Sequence, residues 1–140
     1  MEDEIVTRFR EYIAAFNAKD YVRLVDFYDP DVRLTIGNGT VMRGRQAIVD
    51  FYTNVNDATT RQIEILQAWV DGNVLAAEIQ SEFLALRDAP DFASGPMARG
   101  DRYYLNSFAL YEFGPDRRFT RVRAAVFRRE WRRLSQPSAQ

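Results

Sequence analysis

Apolar residues recur at helical spacing from the start of the chain. Ile5, Phe9, Tyr12, Ile13 and Phe16 form one stripe, and Glu2, Asp3 and Glu4 sit where a helix N-terminus favours negative charge. The spacing predicts a helix over about residues 3–18. Asn17-Ala18-Lys19-Asp20 interrupts it. Asp20 is a suitable cap for a second helix over about 20–28, which buries Leu24, Val25, Phe27 and Tyr28 and stops at Asp29-Pro30. Val32–Ile36 then alternates as a strand does. Gly37-Asn38-Gly39 reads as a turn and Thr40–Met42 as the returning strand. Gly44 precedes a third helix over about 45–55, with Ile48, Phe51 and Tyr52 on one face.

From residue 62 the period changes to two. Strands are expected over Gln62–Val70, Val74–Arg87, Asp101–Phe113 and Arg118–Trp131, with turns at Asp71-Gly72-Asn73 and Gly114-Pro115-Asp116. Asp88–Gly100 carries Pro90, Gly95 and Pro96 and reads as a loop: a lid, an interface arm or a long turn. Three helices followed by an antiparallel meander is an α+β pattern. One domain over residues 1–133 with a polar tail over 134–140 accounts for the whole chain.

Composition narrows the chemistry. With 140 residues, 46% hydrophobic and 28% charged, the chain has the make-up of one globular domain. It contains no Cys and no His, which excludes disulfides, thiolate zinc sites, cysteine nucleophiles and every Ser-His-Asp arrangement. No metal-ligand constellation is visible, and no cofactor fingerprint: the glycines at 37, 39 and 44 have neither the dinucleotide spacing nor a P-loop lysine. Catalysis would run on Asp, Glu, Tyr, Arg or the single Lys19. A net charge of −1 argues against a nucleic-acid partner, and the arginines of residues 117–133 read as surface or interface ion pairs. No apolar run reaches the roughly 20 residues that span a bilayer, and the acidic N-terminus is unlike a secretory signal, so a cytoplasmic location is the default.

Three segments carry a family resemblance: Glu11–Asp20 (EYIAAFNAKD), Phe27–Val32 (FYDPDV) and Arg43–Ile48 (RGRQAI). With the ending Phe119–Phe127, they resemble the SnoaL-like and ketosteroid-isomerase-like proteins of the nuclear-transport-factor-two-like superfamily, over about residues 5–131. The resemblance implies a cone-shaped α+β barrel: three N-terminal helices on a curved, mostly antiparallel sheet that encloses a pocket. It also implies a homodimer through the convex sheet face. Tyr12 matches the oxyanion-hole tyrosine of the ketosteroid isomerases, the enzymes whose apolar oxyanion site keeps an aspartic acid protonated. Their catalytic aspartate falls at Ile36 and their protonated aspartic acid near Ala109, so that chemistry is not expected. The arginine and aspartate of limonene-epoxide-hydrolase-like enzymes fall at Gln80 and Glu82, their other aspartate at Ala124, and their water-holding tyrosine and asparagine at Leu34 and Ile36. Of these only an acid at 82 survives.

The 74–87 strand divides into an apolar face (Leu75, Ala77, Ile79, Ser81, Phe83) and a mixed face (Glu78, Gln80, Glu82, Leu84). Alternation alone puts the apolar face inside. The family alignment puts the mixed face toward the cavity. Under the alignment Glu82 is the candidate general acid or base, its pKa raised by an apolar pocket. Gln80 holds a substrate oxygen and Tyr12 donates to a carbonyl or enolate. Glu78, a further substrate-binding candidate on that face, lies about 13 Å from Glu82 along the strand, too far for a carboxylate dyad. Ser107 and Tyr111 are minor polar candidates. Leu84, Leu105, Phe16, Ile36, Phe51, Trp69, Val122 and Ala124 complete an apolar wall. The expected function is cofactor-independent acid–base chemistry (isomerase, cyclase, dehydratase or hydrolase) on a hydrophobic, oxygenated polyketide-, terpenoid- or steroid-like molecule. The alternatives are a non-catalytic ligand-binding protein and a dimeric interaction module.

Overall fold

All five apolar positions of the opening stripe are buried in one helix, α1 (Glu2–Asn17). The computed structural model describes residues 2–36, 39–92 and 94–134, with side chains from residue 4. The turn expected at Gly37-Asn38 and residues 135–140 of the expected tail lie outside them. The second helix is shorter than its apolar pattern suggests. α2 (Tyr21–Leu24) is capped by the Asp20 side chain, which accepts from the Arg23 N–H, and a single 3-10 turn covers Val25–Phe27. Tyr28 already belongs to β1 (Tyr28–Thr35). Pro30 therefore stands within a strand, where the pairing register shifts between Tyr28 and Arg33, and an irregularity of that kind tolerates its missing N–H. β2 (Val41–Arg43) and α3 (Arg45–Val55) follow.

The second half is the expected meander: β3 (Thr59–Asp71), β4 (Val74–Ala85), β5 (Arg102–Phe113) and β6 (Phe119–Arg132). The sheet order is β2-β1-β6-β5-β4-β3, antiparallel throughout except for the parallel pair β1–β6. The helices cover one face of this six-stranded sheet, its inner face, where Phe9 of α1 meets Tyr111 of β5 at 4.8 Å between ring centroids. β3 is an edge strand. Asn17, at the end of α1, answers its free backbone: the side-chain amide donates to the Ile63 carbonyl and accepts the Ile63 N–H, at 3.0 and 2.7 Å. Lys19 donates to the carbonyls of Asn56 and Thr59, fixing the start of the same strand.

Two apolar clusters result. The larger lies under the helices around Phe9, Tyr28, Leu75 and Phe119. The smaller packs Phe83, Ala85 and Tyr103 against Ala89 and Met97 of the 88–100 loop. That loop folds back on itself through the paired backbones of Ala89 and Met97 and is closed by buried Asp101, which accepts the N–H groups of Ala98 and Leu134. Its described residues line one end of the sheet. Among the described residues no helix is long and apolar enough to cross a membrane.

Candidate functional site

Burial along β4 alternates strictly. Leu75, Ala77, Ile79, Ser81, Phe83 and Ala85 are buried, and the residues between them are not. Simple alternation is therefore right and the alignment-derived orientation is wrong. A one-residue slip turns every side chain of a strand to the other face. Glu78, Gln80, Glu82 and Leu84 stand on the outer face. Glu82 accepts from Arg102 at 2.9 Å and from the Tyr104 hydroxyl at 2.7 Å, with its side chain 34% exposed. It is not in the cavity, and neither are Gln80, Glu78 or Leu84. Trp69 of β3 is also outside, 48% exposed: it pairs with Ala76, and the bulge at Leu66 precedes it.

The inner face encloses a cavity of about 320 Å³ where the two apolar clusters meet. The other candidates border it: Tyr12, Phe16, Ile36, Phe51, Leu105, Ser107, Tyr111, Val122 and Ala124. Ile79 and Phe83 supply the β4 wall that the alignment assigned elsewhere. Phe92 and Ser94 bring the 88–100 loop into the lining. At Gly95 of that loop φ is +135°, and a Cβ would stand 3.3 Å from the Trp131 ring, so the loop backbone seats directly on a lining side chain.

The polar groups of the cavity are phenols, small hydroxyls and guanidinium. The Tyr12 and Tyr28 hydroxyls are 2.6 Å apart. Burial, and then the neighbouring phenols, push the Tyr12 pKa well above its ordinary value; burial does the same for Tyr28. Tyr111 and Tyr52 are raised by burial too, with Arg61 pulling both partly back. At neutral pH these phenols hold their protons, so they are donors rather than bases. Arg61 donates through Nε and Nη2 to Ser81 Oγ at 3.2 and 3.0 Å, and its guanidinium lies over the rings of Phe16 and Phe83. Among the described residues no carboxylate borders the cavity, and no cluster of metal-ligating side chains exists. The arrangement can bind an apolar body and stabilise negative charge on an oxygen.

Sequence reasoning missed Arg61 because its strand, which begins at Thr59, was expected only from residue 62. Starting β3 at Thr59 puts Arg61 on the inner face with Ile63. Arg129 and Trp131 were missed for a different reason. Val122, Ala124 and Val126 face inward as expected, but Phe127 is bulged, since Arg128 pairs with Asn106 and Val126 with Ser107. The bulge shifts the phase, so that Arg129 and Trp131 follow on the inner side.

The family model of the SnoaL-like domain matches residues 9–130. No curated protein matches the sequence. Among solved structures, a proposed polyketide cyclase from Xanthomonas campestris pv. campestris is similar at TM-score 0.76 and 23% identity, covering 88% of this chain and 90% of that one. A proposed polyketide cyclase from Pseudomonas putida KT2440 is similar at TM-score 0.67 and 26% identity, covering 81% and 84%. An LEH-like epoxide hydrolase from M. tuberculosis is similar at TM-score 0.71 and 14% identity, covering 90% and 84%.

Proposed function

The chain belongs to the SnoaL-like domain family, and we propose that it binds a hydrophobic, oxygenated small molecule in the inner cavity and polarises one of that molecule's oxygens. One observation carries this reading. Apolar walls around about 320 Å³ converge on a few donors: Tyr12, Tyr111, Ser107 and Arg61. Small-molecule sites have this make-up, an apolar surround with a small number of placed polar groups. Ring-bearing polyketide-, terpenoid- or steroid-like molecules suit the aromatic walls.

The chemistry we propose is isomerisation, cyclisation, dehydration or hydrolysis in which an oxygen gains negative charge. Tyr12 donates to that oxygen and Arg61 lowers the energy of the charge, an electrostatic stabilisation that favours the transition state over the ground state. Similarity to proposed cyclases and to an epoxide hydrolase supports a catalytic role. Glu82 has no part in it. The lack of a carboxylate among the described lining residues favours a second reading, a protein that binds the same molecules without converting them.

We extend the proposal to assembly: a second copy of the chain covers the outer sheet face. Phe108 and Phe127 support this, being 48% and 52% exposed there with their rings stacked at 4.7 Å.

A thermal-shift screen of steroids, terpenoid epoxides, enones and aromatic polyketides tests the function, with hits incubated and analysed by mass spectrometry. Binding to the native state raises the melting temperature by mass action. Stabilisation with conversion supports the enzyme, stabilisation alone supports the binding protein, and no stabilisation across the panel contradicts both.

A further inference from the structure

We infer that the molecule bound in the cavity carries a carboxylate and that Arg61 is its counter-charge; the inference rests on the cavity being a small-molecule site. Arg61 projects from β3 opposite Phe83, and its guanidinium carbon lies 5.0 Å from the Phe16 ring centroid, 5.1 Å from Phe83 and 5.8 Å from Tyr52. Its hydrogen-bond acceptors among the described residues are neutral hydroxyls, Ser81 and Tyr52, and neither answers its charge. Arginines of the outer surface are treated differently: Arg102 pairs with Glu82, and Arg121 and Arg123 with Glu112. Arg61 has no such partner among the described residues. A guanidinium has five N–H donors in a planar fork, and Ser81 engages two of its nitrogens, Nε and Nη2. A partly buried cation enclosed by ring faces is costly to leave without a counter-charge.

A carboxylate suits this guanidinium better than the other oxygen-bearing groups. It can accept two N–H bonds from one guanidinium, which a neutral carbonyl or ester does less strongly. A phosphate carries more charge than the Arg61 guanidinium alone answers, and Arg129, the other cation of the lining, is exposed to solvent. Arg129, the second cation of the lining, is exposed and has no ion pair among the described residues. It adds to a positive potential that low-dielectric walls focus on an incoming anion. The ligand class is therefore an amphipathic monocarboxylic acid, its ring system against Phe16 and Phe83 and its carboxylate on Arg61.

The test is calorimetric titration at neutral pH with matched pairs: 2-naphthoate, anthracene-2-carboxylate and a steroid carboxylate, each beside its methyl ester. At least one acid should bind about 10-fold or more tightly than its ester, the scale of a charge-assisted hydrogen bond. In Arg61→Gln the preference should fall below about threefold, while Arg61→Lys should keep part of it. The wild-type comparison needs no variant, so a poorly folded Arg61→Gln would not suspend the test. Esters that bind as well as their acids, or a preference that survives Arg61→Gln, would overturn the carboxylate and leave the small-molecule site standing. No binding by any acid or ester would overturn both.

Discussion

The Tyr12 and Tyr28 hydroxyls meet at 2.6 Å inside the core, with Tyr28 fully enclosed and Tyr12 bordering the cavity. Two hydroxyls in contact share one proton between them and leave the other free. If Tyr28 donates to Tyr12, the Tyr12 proton is left for the Tyr111 hydroxyl or for a ligand oxygen that displaces it. A bound acceptor oxygen selects that direction, and the chain of two donors strengthens both bonds. Tyr12→Phe should therefore weaken ligand binding about 10-fold and Tyr28→Phe by less, because removing the second donor only weakens the first. The double variant should lose little more than Tyr12→Phe alone, since the two act in series. Calorimetry on the three variants checks this, and independent, additive losses would contradict it.

The buried phenols also predict an alkaline limit. Tyr12, Tyr28, Tyr52 and Tyr111 have folded-state pKa values above the ordinary 10.0. Below pH 10 they are protonated whether the chain is folded or not, and the native state loses nothing. Above it the unfolded chain releases protons that the native state retains, so stability falls as pH rises. Denaturant unfolding at stepped pH should show this decline, and the ultraviolet phenolate signal of these residues should rise only with unfolding. Full titration near pH 10 in the folded protein would be the contrary result.

Glu82→Gln should leave ligand binding and any turnover within about twofold of wild type. The side chain is on the far side of the sheet from the cavity, paired with Arg102 and Tyr104. Stability should change by no more than about 1 kcal/mol, as for other surface ion pairs. A large loss of activity would show that the outer face carries the chemistry.

Phe108 and Phe127 give the assembly proposal its test. Phe108→Glu places a charge in the middle of the stacked pair and should convert a dimer to a monomer in sedimentation velocity. A wild-type protein that sediments as a monomer at high concentration would rule the pairing out.

Much of this was legible in the chain. The 3.6-residue stripe of α1, the short connection at Gly72 and the alternation of β5 and β6 gave the elements and most of the inner face. Tyr12, Ser107 and Tyr111 were reached through the family resemblance, and the strand and helix periods of β5 and α1 place all three on the cavity side. The site was lost where periodicity is broken or overruled. The bulge at Phe127 moves Arg129 and Trp131 to the inner face, and no pattern in the sequence marks it. β4 failed differently: its own alternation named the inner face, and an aligned position from distant relatives displaced the reading by one residue. Arg61 was passed over because the expected strand began just after it, at Gln62, whereas β3 starts at Thr59 and turns Arg61 toward the rings of Phe16 and Phe83.

The most direct measurement is a crystal structure of the protein with the strongest ligand from the thermal-shift screen. The account predicts the ligand in the inner cavity, its ring body against the aromatic walls and an oxygen within hydrogen-bond distance of Tyr12 or Arg61. A ligand bound on the outer face beside Glu82, with the inner cavity unfilled, would contradict it.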